Sequence, residues 1–160
     1  MRIDIGRHNG KSVELVVLED PSYVKWVLDQ VNPSRRLLLL KGEMLRLITI
    51  FDEKPVVTRC TSPNCNNNAT RASVYRGNVV PSWWCETCNP FQRSVFEDRP
   101  QIISTYKNAL THVAYFCRRR KSDYEYLIYA FAQAKGLTSG INEAQAQEFF
   151  CLVPPENKFI

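Results

Sequence analysis

Four cysteines constrain this chain more than any other feature. Four residues separate Cys60 from Cys65, nineteen residues follow, and two residues separate Cys85 from Cys88. Two cysteines on one tight turn clasp an edge of a tetrahedron, and two such turns from the ends of a hairpin close a zinc shell. The intervening residues suit that geometry. Asn66, Asn67 and Asn68 are turn formers, and Thr70 to Tyr75 reads as a strand. Arg76-Gly77-Asn78 is a second turn, and Val79 to Trp84 returns as an extended segment. Pro63 and Asn64 tighten the first cysteine turn. The spacing therefore predicts one structural Zn²⁺ per chain, held by four thiolates with no position left for catalytic water. A reduced thiol cluster or disulfides are the alternatives.

Competing cysteine chemistries fit less well. A secreted disulfide scaffold normally carries a leader, whereas Met1-Arg2-Ile3-Asp4-Ile5-Gly6 contains an acid and no apolar run. A redox Cys-x2-Cys usually opens a helix without a second pair at ribbon spacing. Four cysteines can hold an iron–sulfur cluster, but a hairpin between the pairs favours zinc. The thiols imply a reducing, cytoplasmic setting. The leucine run Leu37 to Leu40 is too short for a membrane span.

With 160 residues, 44% of them hydrophobic and 11% aromatic, the chain has the composition of a folded domain or of two small ones. Its formal net charge is +5, and a zinc tetrathiolate lowers that by about two. Nucleic-acid binding is compatible with this charge but not demanded by it.

Three zones emerge: residues 1–53, a four-cysteine ribbon over 54–92, and a helical region over 93–160. The first begins with an extended piece and a glycine turn. Asp20 is placed as an N-cap with Pro21 at the first helical position, ahead of a helix to about Gln30. Tyr23, Val24, Trp26, Val27 and Leu28 supply its apolar surface. Asn32-Pro33-Ser34 starts a second helix to about Phe51, buried through Leu37, Leu38, Leu40, Met44, Leu45, Leu47 and Ile48. Gly42 inside it points to a kink or a close contact. In the third zone Pro100 opens a helix along Ile103, Tyr106, Leu110, Val113 and Cys117, closed by Arg118-Arg119-Arg120-Lys121. Ser122 with Glu125 forms a capping box for the next helix, which ends near Gly136. Asn142 caps a short helix bearing Ala146, Phe149 and Phe150, and the tail from Val153 reads as frayed. The expected fold class is α+β, mainly helical, with a small zinc-bound β-hairpin between two helical regions.

Residues 3–31 carry a recognisable pattern. Gly6-Arg7-His8-Asn9-Gly10-Lys11-Ser12 is followed by Val13 to Leu18 and then by Asp20-Pro21-Ser22-Tyr23-Val24-Lys25-Trp26. This resembles the small module at the carboxyl end of exodeoxyribonuclease X and of related DNA-processing proteins. The resemblance implies an accessory contact to nucleic acid or to a larger nuclease, helicase or polymerase. It does not carry over nuclease chemistry: no Asp-x-Glu pair opens a strand, and Asp4, Glu14, Glu19, Asp20 and Asp29 form no two-metal constellation.

The expected nucleic-acid contacts are Arg7 and Lys11 on the glycine loop, Arg71, Arg76, Trp83 and Trp84 on the ribbon, and Arg118, Arg119, Arg120 and Lys121 between helices. Each has a plainer explanation. The glycine loop lacks P-loop spacing and reads equally as a turn. Strand alternation puts one tryptophan on each ribbon face, where either could stack on a base or pack on a helix. Four cations at a helix end complement its dipole. Cys117 is expected as a buried core thiol, with His112 about 140° around the helix and poorly placed as a base. No catalytic constellation is visible. The expectation is a non-catalytic nucleic-acid-binding accessory protein, DNA before RNA, with a protein–protein adaptor as the alternative.

Overall fold

The computed structural model describes residues 1–88, 100–138 and 140–151. The frayed tail expected from Val153, and part of the ribbon's carboxyl side, lie outside the described residues. After a 3-10 turn at Gly6–His8 come helices α1 (Val13–Glu19), α2 (Pro21–Leu28) and α3 (Arg35–Glu53). Strands β1 (Arg71–Val74), β2 (Ser82–Trp84) and β3 (Gln101–Ile103) follow. Helices α4 (Tyr106–Phe116), α5 (Lys121–Ala134) and α6 (Glu143–Phe150) complete the described fold. It is α+β and about half helical.

Helix α1 is the hub. It has seven residues, yet Val13, Val16 and Val17 are wholly buried, and it packs on α2, α3, α5 and α6. Such side chains each contribute about 2 kcal/mol on burial, which outweighs the modest helix propensity of β-branched residues. The amino-terminal glycine turn leads into this helix. The turn is closed by the Arg2–Ser12 bridge, with Ile3 N–H donating to Lys11 O at 2.9 Å and Gly10 N–H donating to Ile3 O at 2.8 Å.

Caps set the boundaries of several helices. The side chains of Ser12, Asp20, Ser34, Thr105 and Asn142 each accept a backbone N–H at the start of α1, α2, α3, α4 and α6. Helix α3 buries Leu40, Met44, Leu47, Ile48, Ile50 and Phe51. Leu38, expected on that face, is instead exposed, because it lies around the helix from the buried stripe of Leu40, Met44, Leu47 and Phe51. Gly42 has open space where a side chain would stand, so no close contact requires it.

The sheet differs from a lone hairpin. Its order is β2-β1-β3, antiparallel throughout, with Ala72 opposite both Trp83 and Ile103. Residues 101–103 were expected to open a helix after Pro100. They pair with β1 because Ile103 completes the buried sheet face, and helix formation waits for the cap at Thr105. Tyr106 then locks α4 in place. Its hydroxyl donates to the Val17 carbonyl at 2.7 Å, its N–H donates to Asp52 Oδ1 at 2.8 Å, and its ring meets Phe51 edge-on.

The link between α4 and α5 also departs from expectation. Helix α4 stops at Phe116, so Arg118 to Arg120 form a connector rather than a helical last turn. Arg119 adopts φ +57 there. Arg120, not Ser122, occupies the N-cap position of α5, and the Ser122–Glu125 capping box is absent. Glu125 pairs with Lys121 one turn earlier instead.

Candidate functional site

The four cysteines converge. The Sγ atoms of Cys60, Cys65, Cys85 and Cys88 all lie within 4.8 Å of one another. Tetrahedral Zn–S bonds of about 2.3 Å require S···S separations of about 3.8 Å, and the Cys65–Cys85 pair stands at 3.8 Å. Local backbone explains the convergence. Asn64 takes φ +63 in the first turn, and Cys65 N–H donates to the Ser62 carbonyl at 3.2 Å. The Cys60 N–H donates to Asn67 O at 2.9 Å. Thr61 N–H donates to Trp83 O at 2.8 Å, which fastens the first knuckle to β2 just before the second.

The sulfur electrostatics ask for a cation. The Cys88 backbone N–H, at 3.4 Å, draws the Cys85 thiol down to about 6, aided by the Asn67 amide. Cys88 is pushed up to about 11: a Ser62 hydrogen bond favours its thiolate, but the neighbouring sulfurs Cys85 and Cys65 oppose a second negative charge more strongly. Four thiolates at this spacing become compatible once a divalent ion neutralises them. The donor set fits a thiophilic metal, and the N–H···S bonds are the outer-shell contacts such a site uses.

The ribbon tryptophans are both engaged. Trp83 packs edge-on against Phe131 at 4.9 Å and covers Val56, Ala69 and Ala134. Trp84 Nε1 donates to the Ser73 hydroxyl at 2.8 Å. Arg71, partly buried, sits opposite Trp84 at the metal end of β1. At the other end, Gly77 N–H donates to the Phe116 carbonyl at 2.7 Å, and the Arg76 guanidinium lies 5.2 Å from the Phe116 ring centre. The hairpin turn is thus pinned to the carboxyl end of α4, directly before Arg118.

A second convergence lies at Asp20. This N-cap carboxylate is buried, yet it meets Arg7 at 2.7 Å, His8 Nε2 at 2.8 Å and Lys121 at 3.7 Å. A carboxylate only accepts, so the His8 proton belongs on Nε2. Burial would raise the Asp20 carboxyl, but hydrogen bonds from Ser22, His8 and the Tyr23 N–H, with the Arg7 charge, hold it below its ordinary range. Arg7 and Lys121, far apart in sequence, thereby share one anchor.

One strip of surface follows. It runs from Arg76 over Phe116 to Arg118, Arg119, Arg120 and Lys121, then across Asp20 to Arg7. Arg118 and Arg120 are exposed and form no ion pair among the described residues, while Arg119 Nε holds the Ala114 carbonyl at 2.7 Å. Lys11 stands apart, gripped by both Glu19 oxygens at 3.0 and 3.1 Å. Arg71, Trp83 and Trp84 remain on the ribbon away from this strip.

Sequence reasoning missed Trp26, expected within the apolar face of α2. It is 50% exposed, lies nearly parallel to Tyr23 with ring centres 5.6 Å apart, and borders a cleft of about 610 Å³. A smaller groove, of about 330 Å³, is bordered by Trp26 together with Lys25, Tyr115 and Arg119. The helical period gave no warning, because position 26 lies beside the buried stripe of Tyr23, Val24 and Val27.

Cys117 also differs from expectation. With α4 ended at Phe116, its thiol is half-buried and folds back to 3.5 Å from His112 Nε2, so helical angles do not apply. Both groups face the Asn78 carbonyl, at 2.8 Å from His112 and 3.5 Å from Cys117. Burial raises the thiol above its ordinary range, and the two groups join the hairpin turn to the end of α4.

Compared with protein-family models, curated proteins and solved structures, the chain matches none.

Proposed function

We propose that this chain is a non-catalytic nucleic-acid-binding accessory protein with a structural Zn²⁺ in its tetracysteine centre. The observation that carries the reading is the basic strip. Three separate segments, 7, 76 and 118–121, are linked by contacts through Phe116 and Asp20, and the half-exposed Trp26 and exposed Tyr115 share a groove with Arg119. Phosphates reward such a row through counterion release, and aromatic faces accept bases whatever their identity. The zinc centre holds the hairpin whose turn delivers Arg76. The likeness of residues 3–31 to the exodeoxyribonuclease X module points the same way and favours DNA. Its two motif halves form one physical unit here, since the Gly-Arg-His turn bonds to Asp20 at the head of the Asp-Pro-x-Tyr-x-x-Trp helix.

Titration of labelled single- and double-stranded DNA and RNA with zinc-loaded protein at two salt concentrations tests this. Affinity should fall steeply with salt, and Arg118→Ala/Arg120→Ala should lower it about tenfold. Absence of binding at low salt would overturn the reading. Exposed Val31, Leu38 and Leu39 at the α2–α3 corner favour a second role, docking onto a larger DNA-processing protein.

A further inference from the structure

The cleft beside Trp26, of about 610 Å³, has a mixed lining. Ile5, Leu37 and the Tyr23–Trp26 pair form its apolar part, and Arg7 with the Ser22 and Ser34 hydroxyls forms its polar part. Its volume suits a small planar group with attached polar atoms. The indole of Trp26 is backed by Tyr23, so it is a rigid platform that loses little freedom when a ring stacks on it. Arg7 engages Asp20 through one terminal nitrogen, and its side chain stays 57% exposed, leaving N–H donors for an anion. Ser34 accepts the Leu37 N–H through Oγ, which keeps its own hydroxyl proton available, whereas Ser22 donates to Asp20 and keeps lone pairs. The cleft therefore offers a stacking face, a donor, an acceptor and a cation, and Arg7 joins it directly to the basic strip.

We propose that this cleft receives an unpaired nucleobase, stacked on Trp26 with its phosphate on Arg7, from a single strand whose backbone follows the strip to Lys121 and Arg118. This rests on the nucleic-acid reading above and narrows it to single strands. Bases within a duplex have both faces covered and enter such a cleft only after unstacking, whereas bases of a single strand enter at little cost.

The test compares oligothymidylate, an abasic oligonucleotide of equal length and a blunt duplex against zinc-loaded wild-type protein. Wild type should bind oligothymidylate about tenfold more tightly than the abasic strand, and Trp26→Ala should erase that preference. Trp26→Phe should restore part of it. A melting temperature of Trp26→Ala within a few degrees of wild type will show that it folds. Equal affinity for oligothymidylate and the abasic strand, with steep salt dependence retained, would overturn the cleft and leave the strip standing. Loss of all binding at low salt in the wild type would overturn both.

Discussion

Asp20 shows how one residue serves local and long-range structure together. As N-cap it accepts the Tyr23 N–H at 3.2 Å, and as a buried charge it collects Arg7, His8 and Lys121. Removing it leaves those partners facing an uncompensated site, so Asp20→Ala should cost about 3 kcal/mol in chemical denaturation. Asp20→Asn keeps the shape and loses the charge, which makes it the right reference for pH. Because the folded-state pKa lies below the ordinary 3.8, the ionised group stabilises the fold above that value. Its contribution is lost as pH falls through the lower folded-state pKa. The stability gap between wild type and Asp20→Asn should thus be constant near neutrality and shrink below about pH 4. A gap that widens on acidification would contradict the assignment.

At the scale of elements, the ribbon and sheet form a relay between the cysteine cluster and the core. β1 carries Ala72 and Val74 into the main core, its amino end borders the cysteine knuckles, and its carboxyl end leads into the turn pinned on α4. A ribbon with so short a sheet has little apolar surface of its own, so a metal held by the four thiols would supply much of its stability. Cys85→Ser should lower metal stoichiometry and melting temperature together, and a strong chelator should reproduce the effect in wild type. Full zinc retention by the variant would rule out a four-thiolate site. Lys135 reinforces the same region from below. Its ammonium donates to the Asp52 and Lys54 carbonyls at 3.2 and 2.7 Å, satisfying groups that the end of α3 leaves unpaired.

Across the whole molecule, function in the proposed reading depends on cations that no single element supplies. Arg76 comes with the hairpin, Arg118 with the connector and Arg7 with the first turn. Each phosphate contact contributes about one unit to the slope of log K against log salt. Arg7→Ala, Arg76→Ala and Arg118→Ala should therefore each flatten that slope by about one, and the triple variant by the sum. A slope unchanged in Arg76→Ala would detach the hairpin from the binding surface. No helix among the described residues is long and apolar enough to cross a membrane.

Local chemistry was legible from sequence wherever a short stretch decides its own structure. Cysteine spacing marked the metal cluster, the Asp20-Pro21 and Asn142 caps marked helix starts, and the Asn78 turn marked the hairpin. In each, the interacting groups lie within a few residues or across one short loop. What escaped depended on distant partners. Residues 101–103 became a strand because β1 offered a free edge, and Val13–Glu19 became a helix because four other helices enclosed its valines. Trp26 stayed half-exposed because no element among the described residues covers that side of α2. Sequence by itself determined the knuckles, the caps and the α+β class, since hydrogen-bonding and ligand preferences act locally. Only the tertiary structure decided which cations share a surface and which aromatic faces solvent, because burial is a property of the packed neighbours and not of the residue.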